Sequence, residues 1–101
     1  MNATIIQYST KPESTEHNTA LIEAVFRELA AGAPDGVRYA VFRSADGSFV
    51  HLFAHESEVA AEKLTGLPAF AAFIEGGEER RTGPPVRSEL TIVGNYRMLA
   101  K

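Results

Sequence analysis

The chain of 101 residues contains no cysteine. That absence excludes disulfides, thiolate catalysis, iron–sulfur clusters and cysteine-bound zinc together, and it fits a reducing compartment. Apolar runs are only a few residues long, far short of the roughly 20 needed to span a bilayer, so no membrane partner is expected. The opening residues, Met1 to Tyr8, lack the basic start and apolar core of a secretory signal, and a cytoplasmic location is the expectation. Basic clusters are also scarce. None is longer than Arg80–Arg81, and the formal net charge is −3. Phosphate neutralisation needs a concentrated Lys/Arg face, so no nucleic-acid partner is expected.

What is present is ordinary for a folded protein: 45% of residues are hydrophobic and 23% charged. The length suits one domain spanning residues 1–101. Ala3 to Ser9 is short, β-branched and aromatic, and Thr10-Lys11-Pro12 ends it, which predicts a strand. Glu13-Ser14-Thr15-Glu16 then offers capping hydroxyls and first-turn acids. Asn18, Leu21, Ile22, Val25, Phe26 and Leu29 follow at helical spacing, until Gly32 and Pro34 stop the helix. Val37 to Ser44 and Ser48 to His55 flank Ala45-Asp46-Gly47, a strong hairpin signal. In Glu56 to Leu64 the Val59-Ala60-Ala61 stretch suits a helical turn. Pro68 opens a further helix carrying Phe70, Ala71, Phe73 and Ile74. Gly76-Gly77 costs that helix about 1 kcal/mol per glycine and predicts a bend or fraying in its second half. Gly83-Pro84-Pro85 ends it, Val86 to Val93 reads as the last strand, and Gly94 to Leu99 reads as an extended tail.

The order β-α-β-β-α-β, with right-handed crossovers, predicts an α+β, ferredoxin-like sandwich: a four-stranded antiparallel sheet with the helices on one face. The uncovered face should then alternate with polar residues if it meets water. It does not. Val50, Leu52 and Ala54 oppose Phe49, His51 and Phe53; Val37, Tyr39 and Val41 oppose Ala40 and Phe42; Ile6 and Tyr8 oppose Ile5. Such a patch exceeds the few hundred Å² that monomers tolerate, and sheet-to-sheet packing of two copies, a homodimer, is the expected remedy.

The histidines offer no metal site. His51 and His55 are four apart, which on a strand separates them by roughly 13 Å, too far to share an ion. His55, at a strand end, and His17, on the first helix, are expected in solvent. Glu75, Glu78 and Glu79 with Arg80 and Arg81 read as a solvated helix end, its cations near the negative terminus. No serine, lysine or carboxylate cluster suggests a nucleophile.

The layout, together with Leu64-Thr65-Gly66-Leu67-Pro68-Ala69-Phe70, Phe73, Pro84-Pro85 and Val93-Gly94-Asn95-Tyr96-Arg97, resembles small dimeric α/β-barrel proteins of the antibiotic-biosynthesis-monooxygenase superfamily. The likeness spans nearly the whole chain in layout, and its sharper motifs lie in the second half. That superfamily includes cofactor-independent monooxygenases of quinols and anthrones, haem-degrading enzymes and members of no known function. In the cofactor-free oxygenases a polyaromatic substrate lies in an apolar cavity between sheet and helices. Loss of a phenolic proton there lets the anion reduce oxygen directly. The resemblance thus implies no cofactor, a small apolar or aromatic ligand, and a dimeric α/β barrel. It implies catalytic roles for His51 and Tyr8, with Tyr39, Phe53, Phe70 and Phe73 forming the substrate pocket. The alternative is a non-catalytic dimer that binds a small ligand or acts through a partner.

Overall fold

A computed structural model describes residues 1–98 of the chain. Strand β1 (Asn2–Ser9) leads through a short 3-10 turn, Pro12–Ser14, into helix α1 (Thr15–Gly32). Strands β2 (Val37–Arg43) and β3 (Ser48–His55) form the predicted hairpin. Gly47 takes φ 87° at its tip, a left-handed value that glycine adopts without steric cost, and Asp46 Oδ1 accepts from Ser48 N at 3.0 Å. Helices α2 (Glu58–Thr65), α3 (Pro68–Ile74) and α4 (Gly77–Arg80) follow, then strand β4 (Val86–Leu90). The sheet is antiparallel throughout, in the order β2-β3-β1-β4, and this is the expected ferredoxin-like arrangement. No helix among the described residues is long and apolar enough to cross a membrane.

Several local expectations need correction. The Ser14 side chain makes no capping bond to α1; Thr15 Oγ1 instead donates to Lys11 O at 3.2 Å and tightens the preceding turn. Gly32 remains helical, and the left-handed exit falls on Ala33, whose N–H returns to Leu29 O at 2.7 Å. The helical turn expected at Val59-Ala60-Ala61 is a full helix, α2, because the Ser57 hydroxyl accepts from Ala60 N and caps it. The helix beginning at Pro68 breaks at Glu75, and Gly76 at φ 75° redirects the chain into α4. Strand β4 ends at Leu90 rather than Val93; Ile92 and Val93 pair with no strand among the described residues, and Val93 is 97% exposed. Leu99 of the expected tail lies outside the described residues.

Packing joins the helices to one sheet face. Val25, Leu64 and Ala69 form a buried centre, and Leu29, Val37, Tyr39, Phe53, Phe70 and Phe73 pack around it. Helix α3 has no side-chain cap of its own. Glu28 of α1 supplies one, accepting from Ala69 N at 3.0 Å, and this fixes where Phe70 and Phe73 stand. Register settles which strand residues meet the helices. Phe53 pairs with Thr4 and Tyr39, His51 with Ile6 and Val41, and Phe49 with Tyr8. The opposite face carries Ile5, Ala40, Phe42, Val50, Leu52, Val86 and Leu90. Phe42 is 52% and Val86 62% exposed there, so this chain alone does not cover it.

Candidate functional site

His51 sits in β3 with a tyrosine on each neighbouring strand, both one residue pair away diagonally. Tyr8 is opposite Phe49, and Tyr39 is opposite Phe53. Diagonal neighbours across a sheet lie within reach of long aromatic side chains. Tyr8 Oη is 2.7 Å from His51 Nε2, and Tyr39 Oη is 2.7 Å from Nδ1. Both imidazole nitrogens are therefore engaged, and a proton reaches the ring only through one of the two hydroxyls.

The row continues into the helices. Asn18 of α1 donates through Nδ2 to Tyr8 Oη at 3.0 Å. Arg80 of α4 donates through Nε to Asn18 Oδ1 at 2.9 Å. Arg80 also donates to the carbonyl oxygens of Glu75 and Phe73, and its guanidinium carbon lies 5.5 Å from the Phe73 ring centroid. Since guanidinium has no acceptor, it fixes the direction of the bonds behind it. Asn18 must turn its oxygen to Arg80 and its NH2 to Tyr8. Two proton-ordered forms of the remainder then exist. In one, Tyr8 donates to Nε2 and Nδ1–H donates to Tyr39, so that Tyr39 offers its hydroxyl proton elsewhere. In the other, Tyr39 donates to Nδ1, Nε2–H donates to Tyr8, and Tyr8 has the spare proton.

Burial tunes each member. Desolvation pushes His51 down to about 4, so the imidazole is neutral at physiological pH. It raises Tyr39 well above the ordinary phenol value, with a further push from Tyr8. Tyr8 is raised as well, chiefly by burial, but the Asn18 hydrogen bond and the charges of Arg80 and Arg81 work against that rise. The two phenols thus differ: Tyr8 faces cations, and Tyr39 does not.

These groups line one cavity of about 450 Å³ between the sheet and helices α2 and α3. All six residues expected at a site, Tyr8, Tyr39, His51, Phe53, Phe70 and Phe73, lie on its wall. His51 packs against Phe73 with ring centroids 5.5 Å apart, and Tyr39 meets Phe53 edge-on at 6.0 Å. Sequence reasoning missed Asn18, Arg80 and Arg81. Arg80 is not a solvated helix end but is only 7% exposed, because α4 turns inward after Gly76. His55 is likewise buried rather than solvated, with Nδ1 3.0 Å from Ser57 O. Asn18 did leave a signal: it is the one polar residue within an otherwise apolar helical stripe.

No protein-family model and no curated protein matches the sequence. Solved structures do. Rv0793 of Mycobacterium tuberculosis is similar with a TM-score of 0.75 at 24% identity, over 93% of this chain and 96% of that one. A Nitrosomonas europaea protein assigned to the antibiotic biosynthesis monooxygenases has a TM-score of 0.77 at 18% identity, over 93% and 100%. A Caulobacter crescentus protein with the same assignment has 0.75 at 19%, over 92% and 90%. At such identities the likeness is one of fold, and the chain shares the fold of these structures.

Proposed function

We propose that this chain is a cofactor-independent monooxygenase acting on a quinol or anthrone-type polyaromatic, and that it works as a homodimer. The observation that carries the reading is an imidazole hydrogen-bonded to two phenols on the wall of an aromatic cavity. Phe53, Phe70 and Phe73 supply flat apolar surface for a ring system. A tyrosine hydroxyl takes the substrate's acidic proton while passing its own to His51, a relay that needs no movement of heavy atoms. The resulting carbanion or phenolate reduces O₂ by one electron, and the radical pair recombines at carbon. For an anthrone the balance is one methylene plus one O₂ giving one carbonyl plus one water. The bare apolar sheet face supports the dimer, since a second copy would shield Ile5, Phe42, Leu52 and Val86.

Oxygen uptake with a panel of hydroquinones and anthrones tests this reading. Turnover should fall by roughly 10² or more in His51→Ala and Tyr8→Phe; unchanged rates in both variants defeat the site assignment. A second reading, a ligand-binding dimer without chemistry, is favoured by the full engagement of both His51 nitrogens. It predicts saturable binding of aromatics with no oxygen uptake.

A further inference from the structure

The Tyr8 end of the cavity carries positive charge on Arg81 for which the described residues supply no ion pair. Arg81 lines the cavity with its guanidinium carbon 6.0 Å from the Tyr8 ring centroid. Its Nε is buried and has no hydrogen-bond partner among the described residues. The ion pairs among the described residues, Arg43–Glu16 and Arg87–Glu89, do not involve it. Neighbouring Arg80 spends its own donors on neutral oxygens of Asn18, Glu75 and Phe73, although Glu79 acts on it through space. The backbone holds Arg81 in place, with its N–H on Gly77 O at 3.1 Å and a bridge to Thr10.

The carboxylates of the cavity stand at the other end. Glu89 bonds to Thr4, four residues along β1 from Tyr8 and so roughly 13 Å away. Glu58 opens α2 just beyond His55, which pairs with Asn2 at the far end of the same strand. Glu62 lies one turn further along α2. A partly buried cation without a partner is costly. An incoming oxyanion would remove that cost through a charge-assisted hydrogen bond to a planar, preorganised donor.

We propose that Arg81 is the anion anchor of this cavity, so that the molecule bound there presents an ionised oxygen, carboxylate or phenolate, to the guanidinium beside Tyr8. This rests on the cavity being the substrate site and narrows the substrate class to aromatic oxyanions. It also eases the chemistry, since a guanidinium beside Tyr8 stabilises the anion left behind when the Tyr8–His51 relay takes the substrate's proton.

Two probes test the anchor without turnover. In the first, 2-naphthoate and the neutral isostere 2-naphthamide are titrated by protein NMR. Wild type should prefer the naphthoate by about tenfold or more. Arg81→Gln should bind the two alike, and Arg81→Lys should keep part of the preference. In the second, the visible spectrum of bound 4-nitrophenol should show phenolate at a pH where the free probe is largely protonated. The apparent pKa should shift down by about one unit in wild type and not in Arg81→Gln. Gly77→Ala supplies an independent variant. Its added Cβ would stand 2.5 Å from Arg81 Nη1 and force the guanidinium aside, so it should weaken both effects while the charge remains.

A preference confined to naphthoate assigns a carboxylate-bearing substrate. A spectral shift confined to nitrophenol assigns the reacting phenolate itself. If wild type binds naphthoate and naphthamide equally and leaves nitrophenol unshifted, or if Arg81→Gln changes neither effect, the anchor is refuted while the cavity reading stands. If wild type binds none of the three probes, both fail.

Discussion

The Nε of Arg80 lies 2.9 Å from Oδ1 of Asn18, and both side chains are buried. Through that single bond, a cation on a four-residue helix sets the polarity of a chain that runs through Tyr8 and His51 to Tyr39. The relationship joins the last helix to the first and places both at the sheet's polar row.

Arg80→Ala would leave Asn18 Oδ1 and the carbonyls of Glu75 and Phe73 without their donor. Unsatisfied buried acceptors and the lost packing on Phe73 should cost about 3 kcal/mol. Urea denaturation should show the lower midpoint with an unchanged slope. A midpoint equal to wild type would mean that the guanidinium is not structural.

The two tyrosines should not be equivalent. Tyr8 receives Asn18 and faces Arg81, whereas Tyr39 stacks on Phe26 at 4.9 Å and is the more strongly raised phenol. Tyr8→Phe should therefore lower kcat by about 10² to 10⁴, with Tyr39→Phe losing less. Initial rates of oxygen uptake decide this, and equal losses would remove the asymmetry from the mechanism.

Much of this arrangement was legible in the sequence. Periodicity gave α1, Asp46-Gly47 gave the hairpin, and the alternation in β3 grouped Phe49, His51 and Phe53 on one face. Only the register, however, shows that this face meets the helices. Gly76 was read as a site of bending, but the direction of the bend depends on tertiary contacts. Buried acceptors on Phe73, Glu75 and Asn18 draw Arg80 inward, against the usual preference of a charged helix end for water. Strand β4 stops early for a similar reason: β-branched residues such as Ile92 and Val93 favour a strand, yet among the described residues no partner continues beside them.

Stability should depend on His51. Its folded pKa is about 4 and its unfolded value near 6.5. Between those values the unfolded chain binds the extra proton, so stability falls as pH drops from about 6.5 towards 4, by up to roughly 3 kcal/mol. Above that window the contribution is fully present. Urea midpoints measured across pH 4 to 7 should show this slope, and His51→Gln should flatten it. An identical slope in the variant would assign the loss to other groups.

Leu52 lies near the middle of the bare sheet face, opposite Ile5 and Ala40. A lysine there would place two like charges in the proposed interface, at a cost of several kcal/mol. Sedimentation velocity at micromolar concentration should give a dimer for wild type and a monomer for Leu52→Lys. A monomeric wild type would contradict the homodimer.

Oxygen-isotope incorporation tests the enzymatic claim most directly. Metal-free protein without added cofactor, supplied with an anthrone under ¹⁸O₂, should yield a quinone carrying one ¹⁸O atom at the former methylene, at a rate that collapses in Tyr8→Phe. No ¹⁸O in the product, or incorporation as fast with the variant as with wild type, would contradict the account.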